Sequence, residues 1–240
     1  MTNRPTALSM RWEDVLFAHW PVEPALVQPT LPDGLEVDEF EGQAYLSVVA
    51  FVMSDISPRG VPVGLSFPEL NLRTYVTHGE GPPGIYFYNL DADDRIGVPV
   101  ARTLFGLPYY RAKMDIARFH EGIRFRSRRT HDGVPPASFD ATYRPTGEPY
   151  QPGAGTLESF LTERYRFYAV GRDRLPAVDL GGDQLYAGDI AHGPWTLRDA
   201  DVEIDRNDLF DAAGFDVPES EPIYQYGPEI DVTAGRVRRL

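Results

Sequence analysis

Phe67-Pro-Glu-Leu-Asn-Leu-Arg-Thr-Tyr75 is the stretch on which the reading of this chain turns. Leu70, Leu72 and Thr74 alternate with Glu69, Asn71, Arg73 and Tyr75, and a period of two is that of a β-strand with unlike faces. An inward polar face would supply a guanidinium to clamp a carboxylate and a carboxylate to move a proton. An outward one would be an ordinary solvated surface, and both readings stand at this point.

The same alternation recurs on either side. Strands are expected at residues 45–53, 70–77, 85–90, 110–119, 123–130, 139–144, 164–170, 185–190 and 195–204. Aromatic residues cluster in them, as in Tyr86-Phe-Tyr88 and Tyr165-Arg-Phe-Tyr168. Short helices are expected at 23–30, 98–105, 156–162 and 207–213. The third opens at Thr156, and Gly106 and Gly214 close the second and fourth. Prolines and glycines punctuate the turns, with the longest loop at 145–149 and 151–155. No repeat or linker divides the chain, so one mainly β domain, antiparallel and barrel-like with a few short helices, is expected over residues 1–240.

The composition narrows the classes of function. There is no cysteine, so disulfides, thiolate metal sites and a cysteine nucleophile are all excluded. Net charge is -13, from 21 Asp and 15 Glu against 22 Arg and one Lys. A nucleic-acid partner needs a basic stripe, and only 124–129 and 236–239 are basic runs, so none is expected. No apolar run approaches the roughly 18 residues of a membrane span, and the first residues lack a signal-peptide pattern. A soluble, cytoplasmic protein without a membrane partner is expected. Asp-rich, Lys-poor composition fits a halophilic surface or a GC-rich genome. His19, His78, His120, His131 and His192 show no ligand spacing, so neither metal nor cofactor is expected. Asp91-Ala-Asp-Asp94 lacks the Glu of a calcium loop and reads as a capped turn before the helix at 98.

Several segments resemble the YqjF-like family of uncharacterised proteins, itself similar to acetoacetate decarboxylase. They are Met10-Arg-Trp-Glu-Asp-Val-Leu-Phe-Ala-His-Trp-Pro21, the stretch from Phe67, Tyr86-Phe-Tyr-Asn-Leu-Asp91, Phe105-Gly-Leu-Pro-Tyr-Tyr110, Leu185-Tyr-Ala-Gly-Asp-Ile190 and His192-Gly-Pro-Trp195. The resemblance implies a barrel-like β domain around a small pocket. It also implies a comparison with the decarboxylase motif Gly-x-Pro-Lys-Lys, whose paired lysines form an imine with the substrate. Here that motif reads Gly106-Leu-Pro108-Tyr109-Tyr110, so the resemblance implies a pocket without imine chemistry. Oligomers are implied by family analogy alone.

Lys113, the only lysine, shares strand parity with Tyr109 and Arg111 but lies about 13 Å beyond Tyr109 at roughly 3.3 Å per residue. Tyr109 is the candidate for polarising a carbonyl and Glu69 for moving a proton. Arg73, Asn71, Tyr110, Arg111, Lys113, His192 and Trp195 are the candidates for binding a small-molecule ligand. A loop histidine such as His192 is more often a hydrogen-bonded turn residue. The expected function is a small-molecule pocket for an organic acid or carbonyl compound. The alternative is a non-imine enzyme, of lyase or hydrolase type, acting on a small keto or carboxylic acid.

Overall fold

The computed structural model describes residues 8–58, 64–93, 107, 109–120, 122–170 and 184–240. In chain order it runs β1 (Leu8–Val22), α1 (Pro24–Val27) with a 3-10 turn (Gln28–Thr30), β2 (Glu36–Val37), β3 (Ala44–Pro58), β4 (Leu65–Thr77) and β5 (Gly84–Asp93). Next come β6 (Tyr109–Phe119), β7 (Gly122–Arg129), β8 (Ser138–Tyr150), α2 (Leu157–Thr162), β9 (Arg166–Val170) and β10 (Leu185–His192). The chain ends with β11 (Leu197–Asn207), α3 (Leu209–Ala212), β12 (Ile223–Ala234) and β13 (Arg238–Arg239). The expected helix at 98–105 lies outside the described residues. Among the described residues no helix is long and apolar enough to cross a membrane.

All strands belong to one mostly antiparallel sheet that branches and closes twice. A nine-stranded barrel runs β5-β6-β7-β8-β11-β12-β1-β3-β4 and returns to β5. A smaller ring leaves β5 through β9 and β10, rejoins at β12, and shares β1, β3 and β4 with the barrel. The branch points are visible in the pairing. On β5, Ile85 and Tyr86 pair with β9, whereas Leu90 to Asp93 pair with β6. On β12, Gln225 and Tyr226 pair with β11, whereas Val232 to Ala234 pair with β10.

Shared strands therefore have two buried faces, which explains the near-continuous apolar run Tyr45-Leu-Ser-Val-Val-Ala-Phe-Val-Met53. Along β3, Val49, Phe51 and Met53 enter the core of the smaller ring, and Leu46, Val48 and Ala50 enter the barrel core. On β1 the inward set changes parity. Leu8, Met10 and Trp12 face the smaller ring, and so do Val15 and Phe17. One additional residue must be accommodated between Trp12 and Val15. Asp14 takes it up, in a bulge with φ 54, its carboxylate held by Tyr226 and Arg118.

Two expectations are corrected here. Residues 145–149 are strand, not loop: β8 continues to Tyr150, pairing only with β11 past Tyr143, so Pro145 and Pro149 sit where a missing N–H breaks no ladder. Asp91 and Asp93 likewise belong to β5 rather than to a capped turn.

Candidate functional site

The smaller ring encloses a cavity of about 60 Å³, and β4 supplies its polar wall. Glu69, Asn71 and Arg73 project into it from alternate positions, while Leu70 and Leu72 turn into the barrel core. Trp12, Phe51, Phe87 and Ile190 provide apolar walls, and Tyr109 enters from the start of β6. The volume suits a ligand of a few heavy atoms, since one water needs about 10–15 Å³ on the same measure.

Glu69 is 3 % exposed and accepts two hydrogen bonds. The Tyr109 hydroxyl donates to Oε2 at 2.8 Å, and Asn71 Nδ2 donates to Oε1 at 3.1 Å. Burial pushes the carboxyl up to about 7, outweighing those donors and the nearby Arg73 charge. Tyr109 is raised well above the usual phenol range by burial and by Glu69, so it stays a neutral donor.

Arg73 is tied at one end only. Its Nη2 donates to the Leu161 carbonyl at 3.1 Å, which also accepts the Tyr75 hydroxyl at 3.0 Å. That carbonyl lies in the last turn of α2, so the helix is pinned to β4 by the strand's own side chains. The Arg73 Nε, the Trp12 Nε1 and the Asn71 Oδ1 are buried on the cavity wall without a partner among the described residues. Buried polar groups of this kind are costly unless they find a hydrogen-bond partner.

A buried polar cluster adjoins Arg73. His19 Nδ1 and Ser47 Oγ are 2.7 Å apart, and the Tyr75 hydroxyl is within reach of both. Burial, with help from Arg73, lowers His19 to about 3, so it is neutral at any physiological pH. Among the described residues no group of His, Asp and Glu comes together as a metal site requires.

The DUF2071 family model, described as an uncharacterized conserved protein, matches residues 9–231. The uncharacterized protein YqjF of Bacillus subtilis is 42 % identical over 231 residues, covering 95 % of this chain and 90 % of that one. The chain belongs to this family. The DUF2071 chain also shares its fold with solved structures. The enduracididine biosynthesis enzyme MppR, complexed with pyruvate, superposes with a TM-score of 0.67 at 16 % identity over 99 % of this chain and 91 % of its own. Acetoacetate decarboxylase from Legionella pneumophila gives 0.67 at 14 % identity, over 100 % and 90 %. An acetoacetate decarboxylase-like enzyme from Sphingomonas wittichii gives 0.64 at 19 %, over 98 % and 94 %.

Within the DUF2071 fold the expected site residues separate into two groups. Glu69, Asn71, Arg73 and Tyr109 converge on the cavity. Tyr110 points the other way, half-buried under the Arg129 guanidinium at 4.6 Å from its ring centre. Arg111 and Lys113 keep Tyr109's parity but are exposed: β6 is a barrel strand, and only its first residue borders the cavity; Arg111 lies 3.9 Å from Asp132. His192 is also outside the cavity lining: its Nδ1 donates to the Gly193 carbonyl at 2.7 Å and its ring stacks on Tyr165. Trp195 is fully buried and backs the wall, with Phe17 edge-on at 5.2 Å and Trp12 stacked at 6.4 Å. Trp12 and Arg166 are cavity residues that sequence reasoning did not single out. Trp12 lay in plain view in the segment from Met10 to Pro21, and no chemical spacing marked it.

Proposed function

We propose that the cavity binds a small organic acid or carbonyl compound and does so without forming an imine. The observation that carries this reading is that Arg73 and Trp12, each with a buried N–H unpartnered among the described residues, line the same small space as the Glu69–Tyr109 pair. A guanidinium and an indole N–H converging on an apolar-walled space favour a carboxylate or an enolate-like oxygen. The exposed position of Lys113 supports the absence of an imine, since the chain has no other lysine.

Borohydride trapping with a panel of keto acids, read by intact-protein mass, tests the point. The expected result is no adduct at Lys113, together with saturable binding of one or more small acids that Arg73→Gln abolishes. An adduct at Lys113 would overturn it.

One observation favours a second reading, that of a non-imine enzyme acting on a small keto acid. A carboxyl held near 7 and bonded to a neutral phenol is suited to proton transfer at neutral pH. In that reading the Glu69 carboxylate takes the proton α to a carbonyl, and the enolate oxygen is met by the free donors of Arg73 and Trp12. Deuterium uptake from D₂O into the methyl group of pyruvate, followed by proton NMR, separates the two readings. Uptake that rises through pH 7 and vanishes in Glu69→Gln marks an enzyme, and uptake at the buffer rate leaves a binding domain.

A further inference from the structure

Arg166 and Ile190 line the inner cavity, and the same two residues line a larger outer groove of about 580 Å³. Arg166 and Asp189 are cross-strand partners on β9 and β10, joined by an Arg166 Nε hydrogen bond of 2.7 Å, and of the two only Arg166 borders both spaces. The far side of the groove is the C-terminal segment that carries Arg236 and Arg238.

The charges in the groove are unequally committed. Glu163 accepts from the Trp195 backbone N–H and from the Tyr165 hydroxyl, and Asp189 accepts from Arg166. The Arg236 and Arg238 side chains are exposed and make no hydrogen bond or ion pair with the described residues. On a chain of net charge -13, most guanidiniums among the described residues sit against carboxylates, as Arg124, Arg144 and Arg11 do. Two guanidiniums unpaired among the described residues, over a groove that adjoins the cavity at Arg166 and Ile190, favour a local positive field where an anion is attracted.

We propose that the groove is a second anion subsite for the ligand of the inner cavity. The ligand then has a carbonyl or carboxylate end that enters past Arg166 to Arg73, and a second anionic group held outside by Arg236 and Arg238. A 2-oxo dicarboxylate is the simplest compound of this class. The inference rests on the cavity reading and adds the far end of the ligand to it.

Calorimetric titration with pyruvate, 2-oxoglutarate and 2-oxoadipate at low salt provides the test. Wild type is expected to bind one of the dicarboxylates about tenfold or more tighter than pyruvate, as two exposed charge contacts allow. Arg236→Ala/Arg238→Ala should bring that dicarboxylate to the level of pyruvate and leave pyruvate itself unchanged. Arg73→Gln should weaken both. If the double variant binds the dicarboxylates as wild type does, or wild type does not prefer them over pyruvate, the groove subsite is wrong and the cavity reading stands. If wild type binds none of the three, both fail together.

Discussion

Glu69 is the buried carboxyl of the cavity, and its environment makes a signed prediction. Its folded value of about 7 lies above the ordinary 4.5, so folding favours the protonated form. The stability it contributes is fully present below about pH 4.5 and is lost as pH rises through 7. The gap corresponds to about 3 kcal/mol for a fully buried group. His19, lowered to about 3, slopes the other way, gaining stability as pH rises towards 6.5. The difference between Glu69→Gln and wild type removes His19 from the comparison. Denaturant unfolding from pH 4 to 8 should show that difference moving in the variant's favour by a few kcal/mol; a constant difference would mean the carboxyl is not raised. Tyr109→Phe removes a donor to the carboxylate and should raise the Glu69 value further, visible as a later midpoint in the same curves. The alternation from Glu69 to Arg73 was readable from the sequence, as was the identity of Tyr109 at the motif's lysine position. What could not be read was depth: Tyr109, Arg111 and Lys113 share parity, and only Tyr109, at the start of β6, borders the cavity.

At the scale of elements, close packing of strands around the cavity makes a second prediction. Gly188 of β10 faces Phe167 of β9, and a Cβ placed at Gly188 would lie 2.1 Å from the Phe167 ring. Phe167 lines the cavity, so the glycine is what lets the ring lie flat against the sheet. Gly188→Ala should cost about 1–3 kcal/mol, the usual range for overpacking. Gly188→Ala/Phe167→Leu should cost less than the sum of the two single variants, since the clash needs both groups. Additive costs in thermal unfolding would show that the ring does not lie there. The strands around Gly188 were legible as β-former runs, but β1 and β12 were not anticipated. Each carries charged residues mid-strand, and β12 carries Gly227-Pro228 besides. Their pairing steps across Pro228 where Asp14 bulges, with Glu13 opposite Glu229 and Val15 opposite Gly227, so one irregularity accommodates the other. A period-two pattern cannot show a phase change that tertiary pairing imposes. Gly227 has a second constraint, because a Cβ there would lie 2.6 Å from Trp195.

For the whole molecule, two closed rings sharing strands leave little sheet edge and place the polar wall of β4 in the smaller one, with the aromatic and aliphatic core of the barrel behind it. The surface then has to carry an imbalance of 36 carboxylates against 23 cationic side chains. Many arginines are already paired with aspartates on the exposed faces of β7, β8 and β11, as in Arg124–Asp140 and Arg144–Asp201. Salt weakens such exposed pairs, each worth about 0–1 kcal/mol, and it also screens repulsion among the unmatched carboxylates. Repulsion should dominate, because the excess of 13 negative charges has no cation to lose. Melting temperature is therefore expected to rise by several degrees between about 20 mM and 500 mM KCl, at roughly 2–4 °C per kcal/mol for a chain of this size. A fall over that interval would mean that the ion pairs outweigh the repulsion. Above it, the Debye length is already a few ångströms and simple screening is nearly complete. A curve that levels off there fits an acidic composition inherited from a GC-rich genome. Continued gain into molar KCl fits a surface adapted to salt, where the aspartates hold hydrated cations.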